Sequence, residues 1–245
     1  MQFLSPEWLE TVPSTNALLR ERLGRGEALP SGYVLAARAQ TAGRGRFQRR
    51  WVTVAGRDLA FSCVIRTAAP PNRLPSLPMA MALGVAAALG RYGLAATTKW
   101  PNDVLVDGRK LGGMLAELAP AVGGEGVAAV VGVGLNVNMT GAEAAAIDRP
   151  ATSMFIETGR RFPPAEVLPV VLEAAAERIG RWAQGGFPAL RDEWETRCDL
   201  RGKRIVVSEP PRRLEGIADG FGDDGELLLR DEAGEIVAAW SGDVA

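Results

Sequence analysis

At 245 residues, 47% hydrophobic and 23% charged, with a formal net charge of −1, the chain can bury an ordinary core and is neither a disordered nor a strongly basic protein. It contains no histidine, which removes Ser-His-Asp and Cys-His nucleophile systems, His-ligated zinc and histidine acid/base chemistry. Cys63 and Cys198 are too few and too far apart for a disulfide framework or a cysteine zinc site, leaving chemistry run by Arg, Lys, carboxylates and amides, with a magnesium ion on oxygen ligands.

No run of 18 apolar residues occurs, and the first thirty residues lack a charged-then-apolar leader, so a soluble cytoplasmic protein with no membrane association is expected. In chain order, Trp8 to Val12 reads as a short strand, after which Ser14-Thr15-Asn16 offers N-cap chemistry to a helix running to about Gly24. Tyr33 to Ala37 and Asp58 to Ile65 read as apolar strands flanking a loop rich in Arg and Gly. A Pro-rich link then leads to Leu77 through Tyr92, an Ala-rich helix so apolar that it must be buried. Strands follow at Ala96 to Trp100, Val104 to Val106, Lys110 to Leu118 and Val127 to Val137, with a hairpin turn at Asp107-Gly108. Two helices are expected at Pro164 to Trp182 and Phe187 to Arg197.

From about Cys198 the texture changes to short strands with turn residues between them: Lys203 to Ser208, Arg213 to Asp219, Glu226 to Arg230 and Ile236 to Trp240. The mixed order predicts an α+β fold, a mixed sheet packed with helices over residues 1–197, followed by a small β unit over 198–245 that must dock on the main body to be stable.

Charge is distributed unevenly. From Ala28 to Arg57 there is no acidic residue, while Arg38, Arg44, Arg46, Arg49, Arg50 and Arg57 all fall inside. Only three of the 28 basic residues are lysines, and two of these, Lys99 and Lys110, lie eleven residues apart, as expected where a compact ammonium is wanted rather than a guanidinium fork. An Arg/Gly loop anchored between strands suits a small anionic ligand better than a free basic tail does.

Ser14-Thr15-Asn16, Gly43-Arg44-Gly45-Arg46 closing on Trp51, Lys99-Trp-Pro-Asn-Asp103 running to Lys110-Leu-Gly-Gly113, and Gly132-Val-Gly-Leu-Asn136-Val-Asn138 together resemble the biotin protein ligases, in that family's order and spacing and over essentially the whole chain. The resemblance implies a catalytic domain of the class II synthetase-like type with a C-terminal SH3-like barrel. It implies a reaction in which biotin and MgATP give biotinyl-5′-adenylate and pyrophosphate, after which a lysine of a biotin carboxyl carrier domain, usually that of an acyl-CoA carboxylase, takes the biotinyl group. By the same resemblance Lys110, Arg46 and Arg49 are the catalytic residues. Ser14, Thr15, Asn16, Gln40, Gly43, Arg44, Gly45, Lys110, Gly113, Gly132 and Gly134 bind biotin. Arg46, Arg49, Trp51, Asn102, Asp103 and Asn136 bind the nucleotide, with Asp103 also on the magnesium. From the residues alone, Trp51 and Trp100 serve equally as core aromatics, the Gly132/Gly134 pair as a strand-packing device, and Asp103 as a cap or bridge.

Two departures stand out. Gln48 occupies a loop position where the family commonly has glycine, which stiffens or reshapes the loop, and the chain stops at Asp243-Val-Ala245, short of a few residues, including a basic one, that often follow. With the catalytic region beginning within the first ten residues, no winged helix-turn-helix and no operator DNA binding are expected; the oligomeric state stays open between monomer and homodimer. The competing readings are a lipoate or octanoate ligase or transferase and, from another class, a non-catalytic nucleic-acid-binding module.

Overall fold

The computed structural model describes residues 1–119, 127–209 and 211–244. Its centre is a seven-stranded mixed sheet built from β1 (Glu7–Val12), β2 (Val34–Gln40), β3 (Leu59–Thr67), β4 (Thr97–Lys99), β5 (Asp103–Val106), β6 (Arg109–Leu118) and β7 (Val127–Leu135). The spatial order is β1-β2-β3-β7-β6-β5-β4; β1 and β2 are parallel and all other neighbours antiparallel. The β1–β2 crossover carries α1 (Thr15–Gly24), and the tight β5–β6 connection uses Asp107 and Gly108, both at positive φ (48° and 72°), the geometry that two-residue hairpins demand.

Strand periodicity divides the two faces. On β3, Phe61, Cys63 and Ile65 point into the large core with Val131 and Val133 of β7 and Met114 of β6. That core is completed by α2 (Leu77–Gly90) and α5 (Pro164–Gly185). The run Pro71–Gly90 is apolar enough in composition to cross a membrane, but 72% of its most apolar window is packed inside the protein. The opposite face takes Leu19 and Leu23 of α1 against Leu35, Val64 and Val130. The same alternation therefore turns Ser62, Gly132, Gly134, Gly113, Leu115 and Glu117 toward the α1 side, where small residues leave a depression in the sheet.

Several boundaries differ from the sequence expectation. The helix expected over Phe187 to Arg197 is instead a 3-10 turn, Phe187–Ala189, set off from α5 by Gly186 at φ 66°, and α6 (Arg191–Arg197), the two joined through Leu190 at φ −118°. β7 ends at Leu135 rather than Val137, and β4 stops before Trp100, whose bond to Pro101 is cis. The short helices α3 (Gly141–Ala145) and α4 (Met154–Thr158) went unread; both are one turn long and held by Thr140 and Ser153 caps rather than by an apolar stripe.

The C-terminal strands β8 (Arg204–Glu209), β9 (Arg212–Phe221), β10 (Leu227–Arg230), β11 (Ile236–Ala239) and β12 (Asp243–Val244) form an antiparallel sheet ordered β11-β10-β9-β8-β12. Among the described residues this sheet is open, with β11 and β12 at its edges. Its inward residues join the main core: Phe221 meets the rings of Phe187 and Trp194, and the buried Trp100 indole donates to the Gly225 carbonyl (3.0 Å). Trp100 is thus a core aromatic, one of the two readings its position allowed. Ala245 lies outside the described residues.

Candidate functional site

The depression on the α1 side begins at the start of α1. Ser14 is the N-cap, its hydroxyl accepting from the Ala17 amide, so the first hydroxyl of the Ser-Thr-Asn run is committed to the helix. Thr15 is held by Gln40, whose Oε1 accepts from the Thr15 amide (2.8 Å) and hydroxyl (3.2 Å). Ser62, fully buried on β3, lies 2.6 Å from both Thr15 Oγ1 and Asn16 Oδ1. The Asn16 amide donates to the Leu115 carbonyl (3.1 Å) and to Glu117 Oε2 (2.9 Å). Four short polar side chains, Thr15, Asn16, Gln40 and Ser62, thus converge within a largely dry environment, where each unmet donor or acceptor is costly.

The glycines make this possible. A Cβ on Gly132 would overlap the Asn16 carboxamide, and one on Gly134 would overlap the Trp51 indole, so both side chains lie directly on the β7 backbone. The glycine pair is a packing device, but what it admits are two of the expected site residues.

The Arg/Gly loop closes over this floor as a small hairpin. Trp51 N donates to Gly43 O (2.9 Å), Gly45 N donates to Arg49 O (2.7 Å), and Arg44 bridges Arg50. The left-handed residue is Phe47 (φ 53°), one position before Gln48, and the backbone turns as a 3-10 element at Arg46–Gln48. The Phe47 ring carries the Arg46 and Arg49 guanidinium groups at 4.8 Å and 5.6 Å from its centroid.

The loop arginines separate. Arg44 turns back to Glu117 (2.9 Å), toward the hydroxyl–amide cluster. Arg46 runs the other way, to Asn102 Oδ1 (3.3 Å) and Gly242 O (3.2 Å); its burial lowers its proton affinity below the ordinary arginine value. Arg49 pairs with Asp243, a hydrogen bond that raises the guanidinium's pKa and lowers that of the carboxyl. Arg149 approaches the same carboxylate at 3.7 Å.

Between the two ends lies Lys110. Its ammonium is 2.6 Å from Asp103 Oδ1, 5.7 Å from the Trp51 ring centroid, and against the bare Cα of Gly113. Its backbone is pinned by Pro150 O and Thr152 N, both at 2.9 Å, which brings the 149–152 segment to the site. Asn102 Nδ2 donates to Met114 O (2.6 Å) and Asn136 Nδ2 to Thr152 O (2.9 Å), which fixes the orientation of both carboxamides and turns Asn102 Oδ1 to Arg46. The indole N–H of Trp51 is buried with no partner, its nitrogen lying over Gly134.

The expected residues therefore form one connected surface, polar at the α1 end, aromatic in the middle and cationic at the far end. Four contributors escaped the sequence reading: Ser62, Glu117, Arg149 and Asp243. Glu117 was legible in principle, as an acid in phase with Gly113 and Leu115, whereas Ser62 gains meaning only from the register that sets it opposite Gly132. Arg149 and Asp243 carried no local signal, since only the tertiary fold brings them to the loop. No group of three or more acidic, Cys or His side chains able to hold a metal is present among the described residues, so a resident metal cage is not built. A lone carboxylate such as Asp103 suits a magnesium ion that arrives on substrate phosphates.

A family model described as the biotin/lipoate A/B protein ligase family matches residues 8–136. The chain is 37% identical to a biotin–[acetyl-CoA-carboxylase] ligase of Paracoccus denitrificans over 94% of this chain and 95% of that protein. It is 35% identical to the Mycobacterium tuberculosis ligase of the same name, over 94% and 85% of the two chains. Among solved structures, the Aquifex aeolicus biotin protein ligase in complex with biotin and ATP superposes with a TM-score of 0.81 at 28% identity, covering 99% of this chain and 98% of that one. On the extent of these matches, and with the family's motif residues gathered on one surface, the chain belongs to the biotin/lipoate A/B protein ligase family.

Proposed function

We propose that the protein is an ATP-dependent biotin ligase, which joins the biotin carboxylate to the α-phosphate of ATP with loss of pyrophosphate and then passes the biotinyl group to a lysine of a carrier domain. The observation that carries this reading is the polarity of the pocket: a hydroxyl–amide cluster at Thr15, Asn16, Gln40 and Ser62 connected through Trp51 and Lys110 to the cationic end at Arg46 and Arg49. A ureido ring needs fixed acceptors for its N–H groups and donors for its carbonyl, and the cluster supplies both.

In the first step a carboxylate oxygen attacks the α-phosphorus and the bond to the bridging oxygen breaks, pyrophosphate leaving with the electron pair. Two unit charges about 4 Å apart repel by about 4 kcal/mol at an effective dielectric of about 20, so a fixed cation between them offsets a barrier of that order. Lys110 has the position and compactness for this, and Arg46 and Arg49 for the departing phosphates. Magnesium supplies further charge neutralisation when it arrives with ATP, and Asp103 would hold it. In the second step the acceptor amine attacks the acyl carbon, the bond to the phosphate oxygen breaks, AMP leaves and an amide forms. The loop's hairpin over the floor excludes water from the mixed anhydride in the interval.

The acceptor is read as a biotin carboxyl carrier domain of an acyl-CoA carboxylase, on the names of the relatives. Residues 198–245 are read as a separate unit of SH3-like type, supported by five short antiparallel strands around Ile205, Val207, Phe221, Leu227 and Leu229. A lipoate ligase is disfavoured because a dithiolane would leave the buried polar cluster unmet. A nucleic-acid module is disfavoured because Arg44, Arg46 and Arg49 are each engaged within the protein, on Glu117, Asn102 and Asp243; a salt-dependent, sequence-specific shift on DNA would reverse that judgement. The test is intact mass of an apo carrier domain after incubation with MgATP and biotin, with lipoate in parallel. An ATP-dependent biotin-sized gain is expected, and a gain with lipoate alone would overturn the assignment.

A further inference from the structure

One carboxylate joins the polar pocket to the loop that closes it. Glu117 is a single side chain on β6, 19% exposed, yet it receives donors from three side chains on two other elements: Asn16 Nδ2 at 2.9 Å and Arg20 Nη1 at 3.0 Å from α1, and Arg44 Nη2 at 2.9 Å and 3.1 Å from the loop. Arg20 is itself fixed by donation from its Nε to Leu118 O (3.1 Å).

Two consequences follow from the donor and acceptor inventory. Asn16 Nδ2 has two hydrogens, and Glu117 and Leu115 O accept both, which leaves Oδ1 turned to Ser62 and the bare backbone of Gly132. If the amide were flipped, its oxygen would face a carboxylate and a carbonyl with no proton between them, so Glu117 fixes which end of Asn16 the pocket presents. Arg44 is meanwhile drawn to the head end of the pocket, away from the cationic end, and anchors the first residue of the loop hairpin to β6.

We infer that Glu117 is a positioning residue for recognition of the ligand's ureido head: it acts through Asn16, fixing on the Gly132 floor a carbonyl oxygen that takes the Ser62 proton on one lone pair and keeps the other as an acceptor, and through Arg44, registering the loop on the head site. The ligand class is a cyclic urea, since a fixed acceptor serves an N–H and has nothing to offer a dithiolane. The inference rests on the biotin-ligase reading and adds to it the residue that sets head-group choice.

The experiment compares wild type with Glu117→Ala, Glu117→Gln and Glu117→Asp, measuring biotin binding without ATP by calorimetry, KM for biotin and for ATP, kcat, and Tm. Glu117→Ala is expected to weaken biotin binding and raise its KM about tenfold or more, as for loss of one charge-assisted orientation, with KM for ATP little changed. Glu117→Asp should recover part of the loss. Glu117→Gln, which keeps the shape and one acceptor, should fall between and serves if the alanine variant does not fold. Equal rises in both KM values, or a lower Tm with biotin affinity unchanged, would overturn the positioning role and leave a merely structural one. Wild type that binds no biotin would instead overturn the ligase reading, and this inference with it.

Discussion

Lys110 shows how much a single residue's surroundings specify. It stands against Asp103 at 2.6 Å, beside the Trp51 ring and over Gly113, a space shaped for a point charge on a thin stem. A guanidinium there would meet Gly113 and the indole with its planar fork and move its charge away from the reacting atoms. Lys110→Arg should therefore lower kcat for adenylation about a hundredfold with Tm unchanged, read as pyrophosphate release beside thermal melting; wild-type turnover would remove Lys110 from the mechanism. The scarcity of lysine in an Arg-writing chain draws attention to Lys99 and Lys110 alike, and it is the family resemblance that singles out Lys110. Ser62 was not marked, because a lone serine inside an apolar strand reads as ordinary until the register sets it opposite Gly132 and beneath Asn16.

At the scale of elements, the loop and its supports differ in legibility for physical reasons. The Arg-Gly-Arg run announced a basic loop, and the flanking apolar runs announced β2 and β3. What sequence could not convey is that the arginines part company, Arg44 toward β6 and Arg46 toward Asn102, because that choice is made by Glu117 and Gly242. Arg46→Gly removes the guanidinium that ties the hairpin to Asn102 and Gly242 while leaving Arg44 anchored. The activated acyl group should then escape, with labelling of a non-cognate protein rising about tenfold; no increase would mean that the loop does not retain it. A second element-scale device lies under the far end of the sheet. Glu143 accepts from the Thr140 backbone and hydroxyl as a capping box for α3 and pairs with Arg57, which also donates to Asn138 O. The Arg57 guanidinium, helped by the Thr140 hydroxyl and amide, holds the Glu143 carboxyl down to a pKa of about 2. Since the folded value lies below the ordinary 4.5, the contribution to stability is present above that value and lost as pH falls toward about 2. Glu143→Gln should flatten the fall in Tm between pH 4.5 and pH 2 relative to wild type, and an unaltered slope would contradict the pairing.

Across the whole molecule, the C-terminal sheet and the loop meet at β12. Gly242 O accepts from Arg46, and Asp243 gathers Arg49 and Arg149, three cations converging on the last turn of chain. The Asp243 carboxylate occupies the arginines much as a phosphate would, so phosphates must compete with it. Exposed pairs of this kind contribute about 1 kcal/mol or less. Asp243→Asn should accordingly lower KM for ATP by up to about fivefold with KM for biotin unchanged; a rise in KM for ATP would show that Asp243 assists the nucleotide instead. The α+β class, the buried α2 and the Asp107-Gly108 hairpin were all readable from periodicity and turn chemistry. The docking of the C-terminal strands through Phe221, Trp100 and Gly225 was foreseeable only as a need, since a unit of that size cannot bury enough surface alone, and its geometry depends on partners in other elements, Phe187 and Trp194 for Phe221 and the distant Trp100 for Gly225.

The glycine row on β6 and β7 constrains any attempt to re-engineer the pocket. Gly132 and Gly134 present bare main chain, so every substitution there subtracts volume and none can add it. Space for a bulkier ligand analogue has to come from the side chains resting on that floor, by trimming Trp51 over Gly134 or Asn16 over Gly132. The two differ in what they surrender. Shortening Trp51 removes aromatic surface and an indole donor that has no partner, whereas shortening Asn16 takes a donor from Glu117 and the acceptor from the buried Ser62 hydroxyl, which makes Trp51 the position from which to begin widening the cavity.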